Sequence, residues 1–357
     1  MSEPRRTIKG NFKYPLQEIL FLCVSAVVSN AGDWHEIVTF GKEKIEWLRK
    51  FFPYRNGVPS HDTLERVFAK IVPDEFGECF VEWASTMFRP VENETINIDG
   101  KRIRGSYDNR KGANALHMVS AYATANQLTL GQLAVPDKSN EITAIPKLLD
   151  MITVENTTVT IDAMGCQKDI TEKIIRKNGD YVIAVKNNQK ELFQQIDRAF
   201  KKQVIADVHK QIDTGHGRLE SRTCKLINDL RFIDAAHQWC GIKSVARLES
   251  ERYNKLTGKQ EQQVRYYISS HDKTAEWLNG TIRNHWAIEN KLHWSLDVVF
   301  GEDSSRRRKG YTAQNFHILN KVSLILLQKH KSKETKPKKR YKAIFNDAFR
   351  EEILDVF

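Results

Sequence analysis

The sequence predicts an α/β fold: a mixed sheet with helices on both faces, preceded by a helical N-terminal domain and interrupted by a β-rich insertion. Three observations predict it. Up to about residue 90, apolar residues recur at three- and four-residue spacing, the period of helices. At TINIDGK, residues 95–101, the period drops to two, and strand-like and helix-like stretches then alternate as far as residue 186. Such alternation marks a sheet covered by helices. Period-two stretches return over residues 205–270 with turn residues between them, as in a β-rich segment.

The chain has 357 residues, enough for about two or three domains. At 40% hydrophobic and 28% charged residues it has an ordinary globular composition. Lys and Arg number 56 against 45 Asp and Glu, a net charge of +11. That excess suits a polyanionic partner, either nucleic acid or an anionic membrane surface. The five cysteines are scattered and lack CxxC spacing, which argues against a disulfide frame or a zinc site. Arg5, Arg6, Lys9 and Lys13 ahead of ILFLCVSAVV (19–28) imitate a leader peptide. Glu18 abuts the apolar run, however, and no small-x-small cleavage site follows. A buried helix is expected there. No other run approaches a membrane span, so the expected location is cytoplasmic.

In order, helices are expected over 14–29, 33–51, 60–72 and 74–88, broken by FPYRNGVPS. Ser60 is placed to cap HDTLERVFAKI. A small helical domain in a basic protein suits DNA binding and a purely structural role equally. TINIDGK, HMVSAYATA and LTLGQLAV read as three antiparallel strands. EITAIPKLLDMI then reads as a helix, TVTIDA as a strand, DITEKIIRKNG as a helix and DYVIAVK as a strand. The order β-β-β-α-β-α-β is the layout of an RNase H-like fold. Three strand-like stretches follow within 205–270, and helix resumes over 274–296. After SSRRRKG comes an apolar helix at 315–328, then a run from Lys329 to Lys342 with eight Lys or Arg and one acid, Glu334. The expected domains are therefore 1–90 helical, 91–204 with 271–330 as the RNase H-like unit, 205–270 as the insertion, and 331–357 as a solvated basic tail.

Two strands carry the candidate chemistry. In TINID, Thr95, Asn97 and Asp99 share the polar face; in TVTID, Thr158, Thr160 and Asp162 repeat the pattern. In an RNase H-like sheet these strands are neighbours, which places Asp99 beside Asp162. Two close carboxylates repel unless a cation lies between them, and a divalent metal takes oxygen ligands. Alone, Asp99 could simply end a strand at a solvated turn. For a third ligand, 100° per residue puts Ile282, Trp286, Glu289, His293 and Leu296 on one helical stripe. Glu289 would sit in a mostly apolar face, as a metal ligand or paired with Arg283 or Lys291. Three carboxylates holding two Mg²⁺ (or Mn²⁺) ions about 4 Å apart suit in-line displacement at a phosphodiester. Lys101, Arg102 and Arg104 beside Asp99 are then expected to hold DNA phosphates, with Lys186 and Asn188 after the last core strand. In the insertion, Arg218, Glu220 and Arg222 alternate onto one face, as a surface salt-bridge ladder or as contacts to DNA.

INIDGKRIRGS, TIDAMGCQ, YVIAVKNNQ, HGRLESR and HWAIENKLHWSLDVVFGEDSSRRR resemble the motifs of the H-repeat-associated, Rhs-linked insertion-sequence transposases of the DDE superfamily, over about residues 4–330. The resemblance implies an RNase H-like catalytic domain with a β-rich insertion and a triad of Asp99, Asp162 and Glu289. It also implies cleavage and strand transfer of double-stranded DNA at element ends, with a homodimer at synapsis and no membrane partner. Arg306 and Arg307 of the last motif are candidate DNA contacts. One departure is that related transposases with such an insertion carry Tyr, Arg and Lys where this chain has Ile282, His285 and Leu296. His285 by hydrogen bonding and Trp286 by stacking on an unpaired base are candidate substitutes. Asp297, Glu302 and Asp303 compete with Glu289 for the third acid, and the helical stripe favours Glu289. A silent DNA-binding relic and a simple RNase H-like nuclease are the rival readings.

Overall fold

The computed structural model describes residues 13–107, 114–135, 140–215 and 217–355. Five helices lead: α1 (Leu16–Val28), α2 (Trp34–Glu43), α3 (Ile45–Leu48), α4 (His61–Phe68) and α5 (Pro73–Met87). The leader-like stretch is α1, whose Ile19, Leu22, Cys23, Ala26 and Val27 are fully buried. Glu18 is buried as well, because its carboxylate accepts the Tyr54 backbone N–H at 2.9 Å. Ser60 caps α4, its Oγ accepting from Thr63 N at 3.3 Å.

A nine-stranded mixed sheet follows, in the order β3-β2-β1-β4-β5-β9-β8-β7-β6. Its strands are β1 (Thr95–Ile103), β2 (Leu116–Ala123), β3 (Leu128–Val135), β4 (Thr158–Ile161), β5 (Asp180–Val185), β6 (Asp207–Gly215), β7 (Arg218–Ile227), β8 (Ser244–Asn254) and β9 (Gln260–Ser269). β1 runs antiparallel to β2 and parallel to β4, and β4 runs parallel to β5. The β-rich segment hydrogen-bonds into this same sheet, because β9 pairs antiparallel with β5 from Val182↔Ser269 to Val185↔Tyr266.

The connections are α6 (Glu141–Met151), α7 (Lys168–Arg176) and α8 (Lys190–Lys202). α8 is absent from the sequence expectations, although Leu192, Ile196, Ala199 and Phe200 recur at helical spacing and are all buried. α9 (Ala275–His285) crosses the sheet and runs into two π-helical turns, Ile288–His293 and Ser295–Val299. α10 (Thr312–Lys329) is buried over nearly its whole length and packs between α1 and α5.

The segment after Lys331 corrects an expectation. It is not a solvated tail but two helices, α11 (Lys336–Phe345) and α12 (Asp347–Leu354), with Lys339, Arg340 and Arg350 buried. The cations fold inward because each meets backbone carbonyls. Lys339 Nζ donates to Leu327 O at 2.7 Å, and Arg350 Nη1 to Ala343 O at 2.7 Å. Among the described residues no helix is long and apolar enough to cross a membrane.

Candidate active site

Asp99 does not end its strand, as the sequence suggests; β1 continues through it to Ile103. The parallel register pairs Asn97 with Thr160 and Ile98 with Ile161, so Asp99 and Asp162 come next on adjacent strands. Asp162 closes β4 and caps the turn behind it, accepting from Met164 N at 3.0 Å. The polar face below is knitted to α9. Thr160 Oγ1 donates to Asn97 Oδ1 at 2.7 Å, Asn97 Nδ2 donates to Asn284 O at 2.7 Å, and His285 Nδ1 meets Thr160 Oγ1 at 2.8 Å. This network sets where α9 leaves the sheet, and hence where Glu289 begins.

Glu289 reaches the site differently from the stripe drawn at 100° per residue. The helix turns π there, with Trp294 N bonding to Glu289 O, so each turn is wider and the stripe drifts. Ile288, Leu292 and Leu296 take the buried side. Glu289 lies exposed on the other, beside Trp286.

All three acids nonetheless line one cavity of about 190 Å³, with Lys186, His285, Trp286, Arg265 and Tyr267 completing its wall. Asp99 is pushed up to about 7 by burial and by the charges of Glu141, Glu289 and Asp162, against a backbone N–H that stabilises its ionised form. Partial burial also raises Glu289, opposed by the Arg265 guanidinium. His285 is held neutral, lowered to about 4 by burial and by Arg265. As the side chains stand, no group of three or more His, Cys, Asp or Glu among the described residues is gathered closely enough to hold one ion. The donor chemistry still fits a divalent hard cation: the acids offer only oxygens, and their mutual repulsion is relieved by positive charge.

The side chains expected to meet DNA phosphates divide into two groups. Arg102, Arg104, Lys186, Asn188, Arg218 and Arg306 are exposed, although Asn188 Nδ2 also holds Ala163 O at 2.7 Å. Lys101, Arg222 and Arg307 are corrections, because each is committed inside the protein. Lys101 is 9% exposed and bonds Asp297 and Glu302. Arg222 is 5% exposed and donates to Asp213 at 2.9 Å and Gln211 at 3.0 Å. Arg307 bonds Gly32 O and lies 3.3 Å over the centre of the Phe316 ring.

Sequence reasoning missed Arg265, whose guanidinium lies 5.1 Å from the centre of the Trp286 ring. Arg265, Arg252, Arg283 and Lys291 line a groove of about 890 Å³ that continues from the cavity over β7–β9. The only available signal was period-two alternation, which placed Arg265 on a strand without saying which way it faced.

Behind Asp99 lies a second cluster. Lys101 Nζ donates to Glu302 Oε2 at 2.8 Å; Glu302 Oε1 meets His317 Nδ1, and Asn320 Nδ2 donates to it at 3.3 Å. Burial alone would raise Glu302, but His317 and Lys101 outweigh it and hold the carboxyl far below its usual range. His317 is lowered to about 4, mainly by burial, and so stays neutral and donates to Glu302. Lys321 Nζ is fully buried and donates to Ser120 Oγ at 2.6 Å, opposite Asp99 in the β1–β2 register. His293 stands between the clusters, its Nδ1 3.6 Å from Asp99 Oδ2.

The chain that carries two acids in register on a parallel strand pair, with a third arriving on a helix after a β-rich detour, matches a known family. The family described as Transposase DDE domain covers residues 90–326, and the DDE_Tnp_1-associated family covers residues 1–84. The chain belongs to the DDE transposases. Within them it is a member of the H repeat-associated group. It is 41% identical over 353 residues to "Putative transposase YncI" of Escherichia coli O157:H7, covering 97% of this chain and 90% of that one. It is 40% identical over 336 residues to "H repeat-associated putative transposase YhhI" of Escherichia coli strain K12, covering 92% and 88%.

Proposed function

We propose that this transposase cuts and joins DNA strands at element ends with divalent metal, Mg²⁺ or Mn²⁺, held by Asp99, Asp162 and Glu289. The observation that carries the reading is the convergence of these three acids on one cavity, where burial first, and then the charges of Glu141, Glu289 and Asp162, raise Asp99. When bound, the metal would activate the attacking oxygen and stabilise the leaving one. The chain supplies placement. β1 and β4 fix Asp99 and Asp162 in register, and the Asn97–Thr160–His285 network fixes the helix that brings Glu289. Arg265, Arg283, Arg252 and Lys291 in the adjoining groove bind the phosphate backbone, together with the exposed Arg102, Arg104, Lys186 and Arg218. Trp286, 39% exposed at the junction of cavity and groove, offers an unpaired base a stacking surface. Two copies of the chain would synapse two ends.

The surroundings of Glu302 support Glu289 as the third acid: both Glu302 carboxylate oxygens are engaged, and only 3% of the residue is exposed. Cleavage of supercoiled DNA carrying the element's ends, in Mg²⁺ and in EDTA, tests the assignment. Glu289→Gln should abolish cleavage while end binding persists, and EDTA should do the same to the wild type. Full cleavage by Glu289→Gln would overturn the assignment.

A further inference from the structure

The triad and the groove leave the arginine run 306–308 without a role, yet the loop that carries it is firmly built. Lys101 lies on the Asp99 side of β1, two residues further on, and bonds Glu302 at 2.8 Å. The chain after Glu302 therefore sets out from the face that bears the acids. It crosses the end of β1 at Gly105, where a Cβ would stand 2.0 Å from Ser305 O. Only glycine lets the two backbones approach so closely. Gly310 pins the other end of the loop to α4: its φ is +51°, and a Cβ there would stand 2.5 Å from Ala69 O. Between these anchors the three arginines divide. Arg307 turns inward over the Phe316 ring and bonds Gly32 O and Ser305 Oγ. Arg306 and Arg308 turn outward and are exposed. Arg308 lies 4.9 Å from the centre of the exposed Tyr107 ring, which orders its guanidinium. Arg104 and Lys309 add two more exposed cations, in surface pairs with Asp303 and Glu65.

Strand register sets this surface and the groove on opposite sides of the acids. β1 pairs with β4 as far as Ile98 and continues to Ile103, about 16 Å further at the rise of a strand. On the other side β9 pairs with β5 as far as Tyr266 and reaches back to Gln260, about 20 Å past the end of β5. Asp162, at the end of β4, lies between the two projections. One carries the groove, and the other ends in Arg104 and the arginine loop. Their chemistry differs. The groove mixes cations with Gln263, Asn284 and Asn290, amides able to read base edges. The loop offers cations and a phenol, which suit phosphates of any sequence.

We infer that Arg104, Arg306, Arg308 and Lys309, with Tyr107, bind the phosphates of the target duplex, while the groove holds the element end. The inference rests on the transposase reading above. In transfer, the 3′-hydroxyl oxygen of the cut end bonds to a target phosphorus and the target's own 3′ oxygen leaves. The proton shed by the first oxygen is taken up by the second. Both duplexes must therefore reach the acids together, and the two projections give each its own side. Transfer of a pre-cut duplex of the element's end into a supercoiled plasmid of unrelated sequence, by the full chain in Mg²⁺, tests this. End binding is followed in parallel by fluorescence anisotropy. Arg308→Glu should lower transfer per bound end about tenfold, the weight of one phosphate contact near 0.1 M salt, and Arg308→Lys should retain most of it. If Arg308→Glu fails to fold, Arg306→Glu is expected to give the same loss. Transfer within twofold of wild type in a folded variant overturns this inference alone. Transfer and end binding that fall together assign the loop to the element end and overturn the target assignment. A wild type that binds ends but transfers none, in Mg²⁺ or Mn²⁺, overturns the functional reading and this one with it.

Discussion

Two clusters of charged side chains meet the same strand two residues apart, and they differ in what balances them. Around Lys101, each charge has an opposite or neutral partner at bonding distance: Asp297 and Glu302 for the lysine, His317 and Asn320 for Glu302. Around Asp99, acids face acids. A compensated buried cluster is finished as it stands and serves the fold, whereas an uncompensated one is a site awaiting a ligand. Proximity to the candidate site therefore says little about a residue's role; the sign of its neighbours says more.

The contrast breaks most sharply under substitution. Asp99→Asn should take cleavage below detection while the urea unfolding midpoint holds or rises, because a repelled charge has gone. Lys101→Met should do the reverse to stability. It leaves Glu302 buried without its cation, costing about 3–5 kcal/mol, and the double variant Lys101→Met/Glu302→Gln should recover part of that loss. Equal destabilisation by Asp99→Asn and Lys101→Met would erase the distinction.

Acid titration sharpens it in metal-free protein. His317 and His285 are lowered to about 4 and His293 to about 3, against an unfolded value of about 6.5. Between pH 6.5 and 4 the unfolded chain thus binds more protons than the native one, and stability falls with pH. Asp99, raised to about 7, binds its proton earlier in the native state than in the unfolded one, and so opposes that fall between pH 7 and about 4. Thermal melts from pH 7 to 4 should decline in the wild type and decline more steeply in Asp99→Asn. A parallel or shallower decline would remove the opposition between the clusters. The smallest effect concerns the groove. Arg265→Ala should reduce the log–log salt slope of DNA binding by about 0.9 for one lost phosphate contact. An unchanged slope would place the phosphate path elsewhere.

Much of this was legible in the sequence. Period-two runs located β1, β2, β3, β4, β5 and the β-rich character of 205–270, where a single run reads through the turn between β6 and β7; the repeated polar face of TINID and TVTID, with the expected strand order, put Asp99 beside Asp162. The sequence could not show which cations turn inward. Lys101, Arg222 and Arg307 look like Arg102, Arg218 and Arg306 until Asp297, Glu302 and Gly32 arrive from distant segments, and Asp213 from the neighbouring strand. Nor could it show the π-helical turns, because an extra residue per turn leaves no compositional trace while it shifts every later side chain. The C-terminal helices were hidden by charge. A run of lysines reads as solvated unless the carbonyls that receive them are known.

Those C-terminal helices also clasp the segment behind the site from far along the chain. Arg340 donates to Val27 O, 313 residues earlier, and bonds Val299 O at the end of the second π-helical turn. Lys336 donates to Ser295 Oγ in that same turn at 2.9 Å, and Trp47 Nε1 donates to Glu351 at 2.7 Å. The end of α1, where Val27 O also accepts from Asn30 N at 3.2 Å, thus gains a further donor from a helix more than 300 residues along the chain. The π-helical turn that follows Glu289 likewise gains these bonds only when α11 docks, and contacts of such long sequence separation form late. A chain in which α11 is undocked carries the acids without this brace, so the order of the segment behind the site depends on that docking.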